Sequence, residues 1–300
     1  ACVFEDRPGW DWPSFQFGER ALYAVTLGVL LGGVTQLAFQ LPALWRQGFR
    51  VRWQVNFRDE RVRQVWRLMW PSVIAGAAVQ VNVLVNGMFA SEINGARSWL
   101  NCAFRLMQFP IGVFGVAIAT VTLPAVARHH ARDDLKAFGA TVAESLRLAL
   151  FLTVPAAVGL AVLAPQIIGV IYQHGKFSEA DTLKTAMALQ AYAIGLAAYA
   201  SIKVLLPCFY ALDKPRTPLM VSMFGIGVNL ALNFLLVKAF GLGHVGLAMT
   251  TGILATVNFL QLVYHLRRHV ELGGFAIWAG FAFRVCLAAA LMGCAALLAV

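Results

Sequence analysis

The chain has 300 residues, of which 60% are hydrophobic and only 13% are charged. A soluble domain is about one quarter charged, and because the apolar excess recurs along the whole chain, a soluble globular protein is excluded. The net charge of +10 does not indicate nucleic acid, since Lys and Arg lie mainly in short segments between apolar runs, as the positive-inside rule requires. The sequence predicts an all-α polytopic membrane protein with about eight transmembrane helices in this chain.

The two ends of the chain predict a piece of a longer protein. Residues 1–20 are acidic and aromatic, and they lack the basic start and apolar centre of a signal peptide. We interpret them as the remnant of a periplasmic loop, and 21–300 as a transmembrane helical bundle. Val300 falls inside an apolar run.

The apolar runs follow one another at intervals that suit membrane-spanning helices of about 20 residues each. They lie near 21–44, 68–90, 99–124, 142–172, 186–212, 219–237, 245–266 and 275–300. The fourth run is long, and we expect it to be tilted or kinked at Pro155 and Pro165. Between the first two runs, segment 46–67 is strongly basic, and its second half is a candidate amphipathic surface helix.

Counts of Lys and Arg in successive loops alternate between higher and lower values. The richer loops are 46–67, 128–141, 213–218 and 267–274, and the positive-inside rule places them in the cytoplasm. The N-terminal residues then face outward.

Several cations lie inside apolar runs, where an ionisable side chain indicates function by default. Arg105 is about 9 Å from the outer end of its run; it either snorkels to the outer headgroups or binds an anion in a polar cavity. Lys203 is deep in its run, and it either binds substrate or pairs with a buried carboxylate or with backbone carbonyls. Arg284 lies near the middle of the bilayer. Glu144 and Arg147, three residues apart, are interpreted as a solvated pair.

Amides form a second pattern. Asn82 and Asn86 are four residues apart, as are Asn229 and Asn233, so each pair occupies one helical face. Two interpretations stay open: hydrogen bonds between helices, or carbonyl oxygens around a coupling cation. Asn86, Asn229 and Asn233 are the candidate cation-coupling residues, and Asn258 allows the same two interpretations.

No catalytic motif is identified: HExxH, GxSxG and Walker A are all missing from the sequence. The cysteines are scattered and show no metal-ligand spacing, which indicates neither a disulfide framework nor a zinc site; they are Cys2, Cys102, Cys208, Cys286 and Cys294. We therefore expect no catalytic residue, no metal and no cofactor.

Several stretches in a fixed order resemble the MurJ/MviN family of lipid II flippases, within the superfamily of multidrug, oligosaccharidyl-lipid and polysaccharide exporters. The stretches are GARSWLNCAFRLMQFPIGVFGVAIATVTLPAVARH, QHGKFSEADT, KVLLPCFYALDKPRTP and GLGHVGLAMTTGI. The family has fourteen helices, so the resemblance implies that this chain is the C-terminal portion, from just before helix six into helix thirteen.

The resemblance implies a transporter of the bacterial inner (cytoplasmic) membrane. It would move lipid II, the undecaprenyl-pyrophosphate-linked peptidoglycan precursor, from the cytoplasmic to the periplasmic leaflet by alternating access, for cell wall synthesis and cell shape. Arg105 resembles a cation of the family's cavity, and with Lys203 and Arg284 it is a candidate substrate-binding residue. The expected partners are lipid II and membrane lipids, with no nucleic acid, and we expect a monomer.

This chain departs from some relatives at two places. Gln108 stands where some of them carry Glu, and Asn86 and Asn233 stand where some bind sodium through carboxylates. Amides bind cations more weakly than carboxylates, so the sequence does not favour sodium coupling. Three alternatives remain: an exporter of another lipid-linked oligosaccharide or of a drug, a polyprenyl-phosphate enzyme, and a passive channel. The enzyme would need an acidic metal cluster, whereas Asp133–Asp134 is interpreted as a solvated loop.

Overall fold

The structure, a computed structural model, describes residues 19–46, 48, 60–175 and 177–299. Most of the predicted periplasmic remnant 1–20 and most of the basic segment 46–67 therefore lie outside the described residues. The chain divides into two units, the first ending at Gln64. In the described part of the first unit, residues 19–46 form one helix and residues 60–64 are also helical. The second unit contains the rest of the described chain.

Every regular element in the described residues is helical, which confirms the all-α class. The helices are α1 (Glu19–Arg46), α2 (Glu60–Ser91), α3 (Ala96–Pro110), α4 (Ala117–Ala131), α5 (Leu135–Val162), α6 (Ala164–Tyr172), α7 (Glu179–Ala211), α8 (Arg216–Asn233), α9 (Gly243–Arg267) and α10 (Phe275–Ala299). Two π-helical segments follow α3 and α8 without a break, at Ile111–Val116 and Phe234–Ala239.

Seven segments among the described residues are long and apolar enough to cross a membrane, which confirms a polytopic membrane protein. They are Thr26–Arg46, Ala96–Ala131, Leu135–Val162, Glu179–Ala211, Arg216–Ala239, Gly243–Arg267 and Ile277–Leu298. The predicted run 68–90 is also helical, within α2, but it is not one of the seven. The predicted run 142–172 is divided at Leu163, because α5 ends at Val162 and Pro165 lies in the first turn of α6, where a proline costs no helical hydrogen bond.

In the second unit α7 is the central helix, and it packs against α3, α4, α5, α6 and α9. Small residues allow the closest of these contacts. A Cβ atom added to Gly195 of α7 would lie only 2.4 Å from the Cα of Gly252 in α9. Close backbone approach at small residues is the usual means of helix association in lipid, where apolar side chains gain little by leaving the solvent.

The buried side chains of the second unit form two clusters, both of which include residues of α7. One cluster contains Phe138, Leu146, Phe209 and Leu262, and it lies towards the ends of α7 and α9 that lead into their following loops. The other contains Met107, Ile168, Leu189 and Leu247, towards the opposite ends of the same helices. The helices are therefore fixed to one another at two depths.

Candidate functional site: a polar face on α3 and a buried amide cluster

One face of α3 is polar although the helix belongs to a membrane-spanning segment. Asn101, Arg105 and Gln108 follow at spacings of four and three residues and are all exposed. The opposite face, with Ala103 and Met107, is completely buried in the second cluster. The sequence thus places its polar residues on the side of α3 that does not pack against the rest of the unit.

The Arg105 guanidinium makes no hydrogen bond and no ion pair with any other residue in the described ranges. A permanently charged group of this kind is costly against hydrocarbon, so its surroundings must be polar or anionic. Its planar fork of five N–H donors matches the oxygens of a phosphate. Chemically, the exposed face of α3 can therefore offer a cation and two amides to an anionic ligand.

The backbone changes just after this polar face. Pro110 ends α3, and the chain continues as the π-helical segment to Val116 before α4 begins. Within that segment Gly115 lies against α7, where an added Cβ would be 3.2 Å from the Cα of Ala200. Single π-helical turns inside helices are frequent at functional sites, and here one adjoins the turn that carries Arg105 and Gln108.

Lys203 of α7 is also exposed, but it lies at a different depth from Arg105. Taking the Gly115–Ala200 contact as the common level, Arg105 is ten residues to one side and Lys203 three to the other. At 1.5 Å per residue the two cations are about 20 Å apart along the helices. Tyr192, eleven residues before Lys203 and so on the same face of α7, meets Phe104, the residue before Arg105, edge-on with 5.6 Å between ring centroids.

Arg284 is exposed on α10, and the structure does not bring it to the other two cations. Its helix packs against α5 through the adjacent Val285 and through Gly293. In the described part of the chain, the helix that α10 mainly packs against is α5. The three predicted substrate-binding cations therefore occupy three separate places rather than one cluster.

The candidate cation-coupling amides, in contrast, meet in one buried cluster. The Asn233 amide nitrogen donates to Asn86 Oδ1 at 2.7 Å and to Asn229 Oδ1 at 3.1 Å. The Asn86 amide nitrogen donates to Thr251 Oγ1 at 3.3 Å. This amide triad of Asn86, Asn229 and Asn233, with Thr251, joins α2, α8 and α9. Asn229 and Asn233 are fully buried.

Sequence analysis missed Thr251, whose hydroxyl donates to Leu247 O at 3.0 Å and so remains free to accept from Asn86. A signal was available, since Thr250 and Thr251 interrupt an apolar helix that packs at small residues. The two interpretations of the triad are not exclusive in this geometry. Hydrogen bonds between helices are present, and the Asn233 carbonyl oxygen is buried without a partner among the described residues.

A group of polar contacts at the start of three helices was also not predicted. Trp99 of α3 donates from Nε1 to Asp181 Oδ1 of α7 at 2.8 Å. The Lys184 ammonium lies 4.3 Å from the centre of the Trp99 ring, and His244 of α9 stacks edge-on against the same ring at 5.1 Å. Trp99 therefore fixes α3, α7 and α9 together at one end of the unit.

The predicted pair of Glu144 and Arg147 differs in the structure. The Arg147 guanidinium lies over the Trp278 ring of α10, 5.2 Å from its centre, and no ion pair joins it to Glu144 in the ranges described. Trp278 is held in place because its Nε1 donates to Leu272 O at 2.7 Å. An arginine that stacks on an aromatic ring loses less hydration than one that is simply buried, which explains its half-buried position.

Comparison with known proteins decides the family. The model of the family described as lipid II flippase MurJ matches residues 14–300. The chain belongs to the lipid II flippase MurJ family. It is 35% identical over 283 residues to a probable lipid II flippase MurJ of Vibrio cholerae, covering 91% of this chain and 52% of the relative. It is 32% identical over 252 residues to the lipid II flippase MurJ of Burkholderia cenocepacia, covering 82% and 48%.

Solved structures agree on the fold. A lipid II flippase MurJ in an inward closed conformation superposes with a TM-score of 0.66 at 24% identity, over 80% of this chain and 49% of that one. An outward-facing multidrug resistance MATE family transporter of the MOP superfamily gives a TM-score of 0.61 at 19% identity, over 76% and 51%. This chain thus spans about half the length of the MurJ relatives it matches. The family and the seven apolar segments identify a multi-pass protein of the bacterial inner membrane.

Proposed function

We propose that the full-length protein flips lipid II from the cytoplasmic to the periplasmic leaflet by alternating access, for cell wall synthesis, without itself catalysing a covalent reaction. The observation that carries this proposal is the exposed Arg105 on the polar face of α3, in a chain that belongs to the MurJ family. A guanidinium facing a polar cavity attracts the pyrophosphate of the substrate. Because the pyrophosphate is the most costly part of lipid II to move through hydrocarbon, a cation in the path lowers the barrier most.

We propose that Lys203 also binds the substrate, at a different depth in the membrane from Arg105. At about 20 Å from Arg105 along the helices, the two cations cannot hold one phosphate at the same time. We assign Lys203 to an earlier position on the path and Arg105 to a later one, nearer the outer side. Arg284, on α10, would meet the substrate separately, at the side of α5.

The test replaces Arg105 in the full-length protein. Arg105→Ala should slow transfer of labelled lipid II across reconstituted vesicles by about ten- to a hundredfold, the equivalent of one lost charged hydrogen-bonding interaction of about 1.5–3 kcal/mol. Arg105→Lys should retain part of the activity, since it keeps the charge but loses the planar fork. Arg97→Ala removes another exposed cation of α3 and serves as the matched control.

Full activity of Arg105→Ala would refute the role of Arg105. The same vesicles separate the alternative functions. Competition by other lipid-linked oligosaccharides or by drugs would indicate an exporter of a different substrate, and turnover of a polyprenyl phosphate would indicate an enzyme. Ion currents from the purified protein would indicate a channel.

We further propose that the amide triad is the place where a coupling cation binds. The support is its geometry: three amides and a hydroxyl converge, and Asn233 Oδ1 is buried and unpartnered within the described residues. Carbonyl oxygens are ligands for hard cations. If the proposal holds, Asn233→Ala abolishes the dependence of lipid II transfer on the cation gradient, whereas Gln80→Ala, at an exposed amide of α2, leaves it intact. An unchanged cation dependence in Asn233→Ala would refute it.

A further inference from the structure

Further buried amide atoms that lack a hydrogen-bond partner lie beyond the amide triad. Five such atoms occur in this region, none with a hydrogen-bond partner in the described part of the chain: Asn82 Oδ1, Asn229 Nδ2, Asn233 Oδ1, Asn258 Oδ1 and Gln261 Oε1. Each unpartnered buried polar atom costs about 1–3 kcal/mol. Five together in one region are therefore expected to have partners that are not side chains, namely water or an ion.

Asn82 lies on α2, one turn before Asn86. The other four atoms follow a single contact surface between α8 and α9. On α9, Thr251, Asn258 and Gln261 are separated by seven and three residues, and on α8 Gly225, Asn229 and Asn233 are separated by four, so each set lies on one helical face. The two faces meet at Gly225, where an added Cβ would be 3.3 Å from Asn258 Oδ1. They also meet through Asn86, which contacts both Asn233 and Thr251. We call these six residues of α8 and α9 the polar seam.

The polar seam runs from the triad towards the C-terminal end of α9, which is predicted to be cytoplasmic. Gln261 is six residues before the end of α9 at Arg267, about 9 Å at 1.5 Å per residue, and Thr251 is about 24 Å from that end. Asn229 and Asn258 lie between these levels. Successive polar groups are one to two helical turns apart, a spacing that one or two bound waters can bridge.

The chemistry of the unpartnered atoms indicates what the seam accepts. Of the four unpartnered atoms that belong to the seam, three are amide carbonyl oxygens, which can only accept hydrogen bonds or coordinate a cation. An anion would need donors instead. No carboxylate lies among the seam residues, so a monovalent cation would keep part of its water there.

We propose that the polar seam is a hydrated path by which a small cation reaches the amide triad from the cytoplasmic side. This proposal rests on the proposed role of the amide triad as a cation site, and it adds the route by which the cation arrives there. At Gly225 the seam depends on the lack of a side chain, because an added Cβ alone would lie 3.3 Å from Asn258 Oδ1 and 3.5 Å from Leu254 Cδ1. The two methyl groups of a valine at this position would add further bulk beside Asn258.

Thiol accessibility tests the path in the full-length protein, with native cysteines replaced, in inverted membrane vesicles. Asn258→Cys should react with a small cationic methanethiosulfonate added on the cytoplasmic side. Leu260→Cys, on the exposed face of the same helix, is the control. The reactive thiolate forms only where water solvates it, so we expect Asn258→Cys to react about tenfold faster or more. Equal rates would overturn the proposal.

A second pair of variants tests the route itself. Adding Gly225→Val should slow the labelling of Asn258→Cys about tenfold, because the thiolate loses its solvent and the reagent its access. Gly227→Val, two residues later on α8 where an added Cβ meets nothing within 4 Å, should leave the rate unchanged. Labelling that is as fast with Gly225→Val as without it would show that the seam is not the route.

The unmutated protein gives an independent measurement. Radiolytic hydroxyl labelling should oxidise Leu254, a buried residue beside Gly225, more than Leu262, which is equally buried in the apolar first cluster. Equal oxidation would refute the bound water. None of these measurements requires transport. If the seam is hydrated while Asn233→Ala keeps its cation dependence, the path stands and the coupling proposal fails.

Discussion

The tightest packing in the unit depends on single glycines rather than on large side chains. Gly195 and Gly252 bring the backbones of α7 and α9 into contact. Since lipid offers little hydrophobic drive for helix association, this contact relies on close van der Waals approach. Adding a methyl group at one of these positions is therefore expected to destabilise the protein more than most substitutions on the exposed faces.

Gly195→Ala should destabilise the protein, because its Cβ would lie 2.4 Å from the Gly252 Cα and 2.9 Å from the Gly252 carbonyl oxygen. Both are backbone atoms that cannot rotate away, so the helices must separate, at a cost of about 1–3 kcal/mol. Thermal unfolding of the purified protein in detergent measures the loss. Gly227→Ala, where space is open, is the control, and equal unfolding midpoints for the two variants would contradict this account.

Single polar residues also show where sequence reasoning succeeds. The four-residue spacing of Asn229 and Asn233 correctly indicated one face, and the structure adds that Asn86 reaches the same place. Asn86 of α2 was grouped with them through the resemblance to sodium-binding relatives. The partner from α9, Thr251, could not be predicted, because spacing along one helix says nothing about which helix lies opposite. Arg105 was identified from its charge alone, since a cation in an apolar run is unusual wherever it points.

At the scale of the element, helix type was predictable and helix boundaries were less so. Apolar length predicts membrane-spanning helices, and all the predicted runs within the described residues are helical. The division between α5 and α6 follows from Pro165, whose ring cannot continue an interior helix but suits a first turn. The start of α7 also had a local signal: Ser178 and Asp181 form a reciprocal capping box, the pattern expected of a helix start.

The π-helical segments had no such signal. They follow Pro110 and Asn233, and so adjoin the two places where polar residues gather in the bilayer. A π-helical turn shifts the side chains beyond it around the helix axis relative to those before it. The polar face of α3 therefore does not continue in register into α4. An ideal helical periodicity would have predicted that it does.

For the whole molecule, the side of the membrane on which each loop lies was predicted from charge. One contact in the structure bears on that prediction. The Lys214 ammonium, in the loop after α7, lies 3.0 Å from Nδ1 and 3.1 Å from Nε2 of His269, in the loop after α9. The two loops are thus neighbours, as their shared predicted cytoplasmic location requires. The depth of Lys203 relative to Arg105 needed the structure, because it depends on how α3 and α7 are aligned.

This contact leads to a prediction about pH. Partial desolvation, and then the positive charges of Lys214, His265 and Arg268, lower the pKa of His269 below its ordinary value of 6.5. The folded state therefore favours the neutral ring, which accepts a hydrogen bond from Lys214. Stability from this contact is present above pH 6.5 and is lost as the pH falls through the lowered pKa of the folded state.

Nuclear magnetic resonance of labelled histidine measures the titration in the full-length protein. The midpoint of His269 should lie below 6.5, and Lys214→Gln should raise it towards the ordinary value without reaching it, because desolvation is the larger cause and remains. Lys136→Gln, in the first turn of α5 on the same predicted side, should leave the midpoint unchanged. A midpoint at or above the ordinary value, or one that does not respond to Lys214→Gln, would show that the two loops do not meet in the membrane-embedded protein.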